Sequence, residues 1–476
     1  MAAPNLKDGL DRDDVQGLVA RAYGALRAAS YLLFRIDRAD AAAAWLGRLV
    51  DRIPNVDSQR SETAVHLAFT APGLRKLGLG MNVLELFSAE FVAGMVGPHR
   101  SRILGDDDES APHRWSWGGP RTSPPDLLLL AFAQDEATLN ALLSTLQREL
   151  AGAGLSEVLT LQTTDLGDHE PFGFADGMSQ PLIAGLGSKG SAANRVKTGE
   201  FVLGYTNEYG LLTDRPLIDA ALDPAGRLPR DPSGSSRADL GRNGTYLVFR
   251  QLRQDVGSFW RFVDGASRNS DGTSNAAART KLAAKIVGRW PGGAPLATSP
   301  LDDDPRHAAD ADFSYADVDP RGINCPIGSH IRRTNPRDAL EPGLKPSQSV
   351  AIARRHRILR RGREYGPRWE PPLAPNDLAS DGVQRGLHFV CLNANIARQF
   401  EFIQHTWVNS PKFGGLYDDA DPLIGRRAPS GATFTIQGTP FRQRVTGLPR
   451  VVTVVGGGYF FLPGIRALRY LAGLAA

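Results

Sequence analysis

Tyr31-Leu-Leu-Phe-Arg-Ile36 is the run from which the fold is read, and it has the length and apolar content of a buried strand. Residues 38–52 follow with Ala, Leu and Trp at helical spacing, and Ala64-Val-His-Leu-Ala-Phe-Thr70 is a second strand with a short helix from Pro72 to Leu77. A polar insertion rich in Gly, Pro and Asp occupies about 98–124. Asp126-Leu-Leu-Leu-Leu-Ala-Phe132 is then a third strand, 135–151 an amphipathic helix, and Leu155-Ser-Glu-Val-Leu-Thr-Leu161 a fourth strand. Strand, helix, strand, strand, helix, strand is the ferredoxin-like order. Residues 1–27, ahead of it, read as a polar lead-in with a short helix.

After a loop-rich connection at 182–243, the pattern returns with longer loops. Thr245-Tyr-Leu-Val-Phe-Arg-Gln-Leu252 is a strand and 254–266 a helix, and 267–320 is polar. His330-Ile-Arg-Arg-Thr334 and Arg357-Ile-Leu-Arg360 read as short extended segments, and Gly386–Leu392 as a strand. Residues 395–409 carry Ile396, Phe400, Ile403 and Trp407 on a helix, and Val451–Val455 and Tyr459–Leu462 supply further strand. The expected class is α+β. An N-terminal ferredoxin-like half spans 28–181 and a C-terminal one 244–476. Packed sheet to sheet, like a dimeric α/β barrel, the two bury their apolar faces and leave a cavity where long loops meet.

The composition is that of an ordinary globular chain: 476 residues, 42% hydrophobic, 22% charged, net charge +4. So small an excess over this length argues against a nucleic-acid partner, and neither a basic tract with interleaved aromatics nor an RNP-like aromatic pair supports an RNA-binding module. Two cysteines are too few for a disulfide framework; Cys391 reads as core and Cys325, beside Pro326, as core or a thiolate ligand. No apolar run reaches membrane-spanning length, and the first residues carry no secretory or twin-arginine signal, so a cytoplasmic location is expected. Enclosure by a partner or unconventional export would leave no such signal, and an oligomer is compatible with the composition.

Three segments carry chemistry. Glu170-Pro-Phe-Gly-Phe-Ala-Asp-Gly-Met-Ser-Gln-Pro181 sets Asp176 between glycines and among Phe172, Phe174 and Met178. Gly173 and Gly177 allow a turn that other residues resist, and apolar neighbours tune the carboxyl. Such an acid either moves a proton or hydrogen-bonds its own turn. In Asn324-Cys-Pro-Ile-Gly-Ser-His-Ile-Arg-Arg-Thr-Asn-Pro-Arg337, His330 follows two small residues and precedes Arg332, Arg333 and Arg337. An imidazole among arginines suits haem, whose iron takes an axial histidine and whose propionates take cations; the alternative is a strand-end histidine on a basic surface. In His356-Arg-Ile-Leu-Arg-Arg-Gly-Arg-Glu-Tyr-Gly366, Arg360 either reaches a bound peroxide or belongs to a basic strand edge.

Gly173-Phe-Ala-Asp-Gly177 resembles the GxxDG motif of the dye-decolorizing peroxidases. Gly328–Arg337 resembles the segment holding that family's proximal haem histidine, and Ile358–Gly366 the segment holding its distal arginine. Further matching stretches, among them Leu67–Leu74, Gly244–Arg250, Gln399–Asn409 and Gly458–Pro463, keep the family's order over most of the chain. The resemblance implies one haem b per chain, with His330 as iron ligand, Asp176 as distal acid–base residue and Arg360 as distal cation. It implies haem contacts from Gly173, Phe174, Ala175 and Gly177, and cations for the propionates in Arg332 and Arg333. Hydrogen peroxide would be reduced and dyes or other aromatic donors oxidised in one-electron steps through a ferryl intermediate. The rival reading is a haem carrier for iron supply, which shares His330 but needs neither Asp176 nor Arg360.

The family places an acid behind the proximal histidine, and Glu401 is the best match here. Residues 338–350 look long for a connector and read as a lid or rim. Trp260, Trp369, Trp407, Tyr365 and Tyr459 are candidate surface sites for oxidising bulky dyes, each otherwise a packing residue. His388 and His405 read as core or helix residues, His169 and His356 as loop or surface ones, and no pair has zinc spacing.

Overall fold

Leu127-Leu-Leu-Leu-Ala-Phe-Ala133 is apolar throughout because both of its faces are covered: Leu127, Leu129 and Ala131 pack into one core, Leu128, Leu130 and Phe132 into another. The computed structural model describes residues 9–186, 191–369, 382–428 and 430–474; the first eight residues of the expected lead-in lie outside that set. Among the described residues, nine strands share one antiparallel sheet. They are β1 (Ala28–Ile36), β2 (Thr63–Phe69), β3 (Leu127–Ala133), β4 (Leu155–Gln162), β5 (Thr245–Gln254), β6 (Leu359–Arg360), β7 (Arg363–Tyr365), β8 (Gly386–Asn393) and β9 (Val452–Leu462). The order is β6-β8-β5-β9-β2-β3-β1-β4, with β7 also on β8.

That order contains the same motif twice. In each half the fourth strand lies beside the first, the first beside the third, and the third beside the second: β4-β1-β3-β2, then β9-β5-β8 with β6 and β7. Two ferredoxin-like units are therefore joined edge to edge, through the single pair Phe69↔Phe461. At the other ends, Thr164 N–H donates to Glu364 O at 2.9 Å and His388 Nε2 meets Gln162 O at 3.0 Å. The inner faces meet in a core that includes Tyr31, Leu33, Phe132, Leu247, Phe249, Val390 and Phe460.

Helices cover the outer faces. α1 (Ala39–Leu49) and α2 (Glu136–Leu150) lie on the first half, α2 capped by Asp135, whose carboxylate accepts from Thr138 N–H. α3 (Val256–Ala266) and α4 (Ala276–Val287) lie on the second, with Phe259, Trp260, Val263, Leu282 and Ile286 buried. α4 falls in the stretch 267–320, read from the sequence only as polar. The motif histidine opens α5 (His330–Thr334), a helical turn where an extended segment was expected. α6 (Pro346–Arg355) begins within the long connector and runs past its end.

The architecture is the one expected; the cavity's place within it differs. Residues between the halves interdigitate and fill the space, whereas the cavity lies on the opposite face of the second half of the sheet. Leu252 and Gln254 of β5 and Leu387 and Phe389 of β8 line it, while Leu247, Phe249, Val390 and Leu392 of the same strands belong to the core between the halves. No residue of β1 to β4 lines it, and neither does any of 338–350, which fold as α6 and its approach with Leu340 buried near Ile403 and Trp407.

Candidate active site

The cavity, about 370 Å³, brings Asp176, His330 and Arg360 together from three separate segments. Each is placed by local chemistry. Gly173 and Gly177 have φ of 98° and 80°, so the turn carrying Asp176 uses the left-handed region that glycine tolerates. Glu170 anchors the turn by accepting from Phe172 N–H at 3.0 Å, Phe174 N–H at 2.9 Å and Gln254 Nε2 at 2.7 Å. Burial pushes its carboxyl up to about 7 against those donors. The rings fix the turn to α3: Phe172 lies 4.6 Å from Phe259, Phe174 stacks on Trp260, and Trp260 Nε1 donates to Phe172 O at 3.1 Å.

Arg360 reaches the turn from β6. Its Nη1 donates to Asp176 Oδ1 at 3.0 Å and its Nη2 to Met178 O at 2.7 Å, while Gln180 Oε1 accepts from its backbone N–H at 3.0 Å. The Asp176 side chain keeps 32% of its surface open to the cavity. Enclosure by the protein raises its pKa, but the Arg360 charge and the Gly177 N–H outweigh that and leave it below the usual carboxylate value. Asp176 is thus an ionised, hydrogen-bonded base that faces a largely apolar space.

His330 is set by α4 and a buried carboxylate. Ser329 Oγ donates to Lys285 O at 2.6 Å, which ties the start of α5 to α4. His330 Nδ1 lies 3.0 Å from Asp421 Oδ2, and Asp421 Oδ1 accepts from Leu423 N–H at 2.9 Å and Ile424 N–H at 3.0 Å. Burial alone would raise the Asp421 pKa; the imidazole, the backbone donors and Arg333 bring it down to about 2. An ionised acceptor there keeps the proton on Nδ1 and leaves the Nε2 lone pair available to a metal. Sequence reasoning assigned this role to Glu401. That residue lies elsewhere, bonded to Arg100 and to Tyr459 Oη at 2.8 Å.

The cavity also holds Arg289, Arg337 and Arg357, none of which ion-pairs with a carboxylate among the described residues. They donate to neutral oxygens: Arg289 to Gly293 O and Asp310 O, both at 2.7 Å, Arg337 to Ala311 O at 2.9 Å, and Arg357 to Ser179 O at 2.9 Å. Burial lowers all three, Arg289 to about 10 and Arg357 to about 9, so they remain charged near neutral pH. Buried, uncompensated guanidinium groups call for an anion. A porphyrin with two carboxylates fits this set of donors, with apolar walls from Leu252, Val287, Phe389, Ile403, Leu423 and Val452.

Comparison with known proteins agrees. No family model matches the chain. A dye-decolorizing peroxidase from Mycena epipterygia is 31% identical over 446 residues, covering 86% of this chain and 76% of that protein. The chain belongs to the dye-decolorizing peroxidase family. A solved point mutant of the dye-decolorizing peroxidase from Pleurotus ostreatus has a TM-score of 0.78 at 25% identity, over 98% of this chain and 99% of that one. Another solved dye-decolorizing peroxidase, in complex with 2,6-dimethoxyphenol, has a TM-score of 0.78 at 24% identity over 98% of this chain and 100% of that one. As a dye-decolorizing peroxidase, this chain is a haem enzyme that oxidises dyes and other aromatic donors with peroxide.

Several sequence expectations for the site need correction. Arg332 and Arg333 do not line the cavity: both are at most 2% exposed and turned away from it. Arg332 Nη1 donates to Asp319 O at 3.0 Å and Cys325 O at 2.9 Å; Arg333 donates to Trp407 O, Ser410 O and Asp419 O. They hold the segment around His330 in place. Of the turn residues, Phe174, Ala175 and Gly177 line the cavity, but Gly173 is exposed and does not. Cys325 is buried against Gly288 O and Tyr315, not at the cavity, and Cys391 is core as read. His356, read as a loop or surface residue, lies in the turn after α6 but is buried, with its ring stacked 3.7 Å from Phe402. Trp260, Trp407, Tyr365 and Tyr459 are buried packing residues and Trp369 is half-buried.

Proposed function

We propose that His330 binds the iron of haem b, one group per chain, and that Asp176 and Arg360 carry out the reaction with hydrogen peroxide. The observation that carries this is the Arg360–Asp176 contact of 3.0 Å in the same cavity as a histidine backed by a buried carboxylate. A haem carrier needs no ionised acid beside the iron, and burying that acid works against the charge Asp176 retains. Arg337, Arg357 and Arg289 supply cations for the propionates, the role that sequence alone gave to Arg332 and Arg333.

When bound, haem supplies an iron that coordinates peroxide and accepts its oxidising equivalents. The chain does the rest. His330 offers Nε2 to the iron, and Asp421 strengthens that donation by holding the Nδ1 proton. Asp176, ionised, takes the proton from one oxygen of hydrogen peroxide and gives it to the other, which leaves as water. Arg360 keeps Asp176 charged at low pH and offsets the negative charge that grows as the O–O bond breaks. Aromatic donors then return two electrons, one per molecule. The test is to load the protein with haemin and follow its visible spectrum as one equivalent of peroxide is added. Wild type should react rapidly and Asp176→Asn should bind haem but react at least about a hundredfold more slowly. Equal rates would remove Asp176 from the mechanism.

A further inference from the structure

Besides Glu170, which anchors the Asp176 turn, the cavity is lined by another carboxyl that the peroxide reaction does not use, that of Glu364. β6 and β7 run antiparallel to β8 in one unbroken register: Leu359↔Leu392, Arg360↔Cys391, Arg363↔His388 and Glu364↔Leu387. Residues an even number apart share a face, so Glu364 stands on the same side as Arg360, about 13 Å further along the strand. Between them lies Gly362, where an added Cβ would meet His388 O at 2.3 Å. No side chain therefore separates the two. Arg360, Gly362 and Glu364 all line the cavity, opposite strand partners Leu387 and Phe389 that line it too. Ala22, exposed, lines it beside them, with Arg363 Nη2 bonded to its carbonyl at 3.3 Å. Ala22 and Gly362 are both exposed, so among the described residues this end of the lining meets solvent.

Glu364 is half-buried, and among the described residues no hydrogen bond or ion pair from another residue engages its carboxylate. The charged groups around it are Asp176 on the turn, Arg363 on its own strand and Asp165 beyond β4. Arg363 is spent on the carbonyls of Tyr23 at 2.7 Å and Leu26 at 3.0 Å, and Asp165 is paired with Arg27 at 3.1 Å. An acid without a neighbouring partner, on a strand face that lines the cavity, is poorly explained by packing. Because aromatic donors must approach the haem pocket, its charge is met by whatever enters.

We propose that Glu364 determines specificity: its carboxylate, at the open end of the cavity floor, favours cationic aromatic electron donors over anionic ones. The inference deepens the peroxidase reading and rests on it for turnover, but not for binding. Burial, with Asp176 and Asp165 acting the same way, pushes this carboxyl up to about 7, so its charge is present at pH 8 and absent at pH 5. One unit charge a few ångströms from a donor, in a partly solvated opening, changes its affinity about three- to tenfold at low salt.

The test uses the holoenzyme at pH 8 with three donors: a cationic phenothiazine, neutral 2,6-dimethoxyphenol and the dianion ABTS. Glu364→Gln should lower kcat/KM for the cation and raise it for the dianion about three- to tenfold, each relative to the phenol. High salt should shrink the difference, pH 5 should abolish it, and Glu364→Asp should keep the wild-type preference. A common factor for all three donors would mean a merely structural role and would overturn the proposal, as would no change. Equilibrium binding of the phenothiazine without peroxide separates the two readings. If Glu364→Gln weakens binding about three- to tenfold yet no donor is turned over, the charge site stands and the peroxidase reading fails. If binding is unchanged, the charge site fails.

Discussion

Replacing Asp421 with asparagine should cost this protein most of its hold on haem while sparing its fold. The substitution preserves shape. The amide oxygen of the new side chain can still accept the N–H groups of Leu423 and Ile424, which lie 2.9 and 3.0 Å from Asp421 Oδ1 in the wild type. What changes is the atom facing His330 Nδ1 across 3.0 Å, from an ionised oxygen to an amide N–H. A donor in that position favours the tautomer with its proton on Nε2, and the lone pair for iron is lost. Removing a carboxylate partner of a metal-bound histidine typically weakens the site about 10–100-fold, or about 1.4–2.7 kcal/mol. Haemin titration followed at the Soret band should show that loss. The iron reduction potential should rise, because a less anionic imidazole stabilises the oxidised metal less well. Thermal melting of the apoprotein serves as the control for folding. Haem affinity within about twofold of wild type, with an unmoved potential, would refute the argument that Asp421 sets the ligand.

Other expectations follow from the same geometry. His330→Ala should abolish the Soret band after haemin is added, and a normal band would place the ligand elsewhere. Arg360→Leu should slow the peroxide step about 10²–10³-fold. It should also move the acid limb of that step to higher pH, because burial alone raises the Asp176 pKa once the guanidinium is gone; stopped-flow rates from pH 3 to 7 would show an unmoved limb if this is wrong. Asp421 has a depressed pKa, about 2, so its pairing contributes stability above pH 4 that is lost as pH falls toward 2. That contribution is about 2 kcal/mol, and apoprotein acid unfolding should show it in wild type and not in Asp421→Asn. Gly362→Ala would place its Cβ 2.3 Å from His388 O and should cost about 1–3 kcal/mol, measured by denaturant unfolding; an unchanged midpoint would mean that the strand pair yields freely.

The strands were legible because covered faces demand apolar runs. Leu127–Ala133 is readable for that reason, and so is the repeated order of elements. α4 escaped because Ala276-Ala-Ala-Arg-Thr-Lys-Leu-Ala-Ala-Lys-Ile-Val287 offers little apolar contrast, although Asn275 ahead of it, accepting from Ala278 N–H, is a cap that could have been noticed. α5 spans five residues, too few for periodicity to register, and its two buried arginines look like surface in a sequence. Asp176, His330 and Arg360, which share one cavity, were visible because their motifs are local. Asp421 was not: it stands 91 residues from His330, one of several acids in an Asp-rich loop, and only folding brings it near. Adjacency alone suggested Arg332 and Arg333 for the propionates, and neither lines the cavity. Arg332 and Arg333 neighbour the ligand in sequence, but the first turn of a helix points them away, while Arg289 and Arg357 arrive from other segments.

One consequence follows from the cavity's position on the outer face of the second half of the sheet. Along β5 and β8, alternate positions answer to different demands. Leu247, Phe249, Val390 and Leu392 weld the two halves, whereas Leu252, Leu387 and Phe389 shape the reaction chamber. Neighbouring codons thus govern durability and chemistry separately. Reshaping the chamber for a larger donor falls mainly on every second residue, and the seam between the halves can be reinforced at positions other than His388, which touches both.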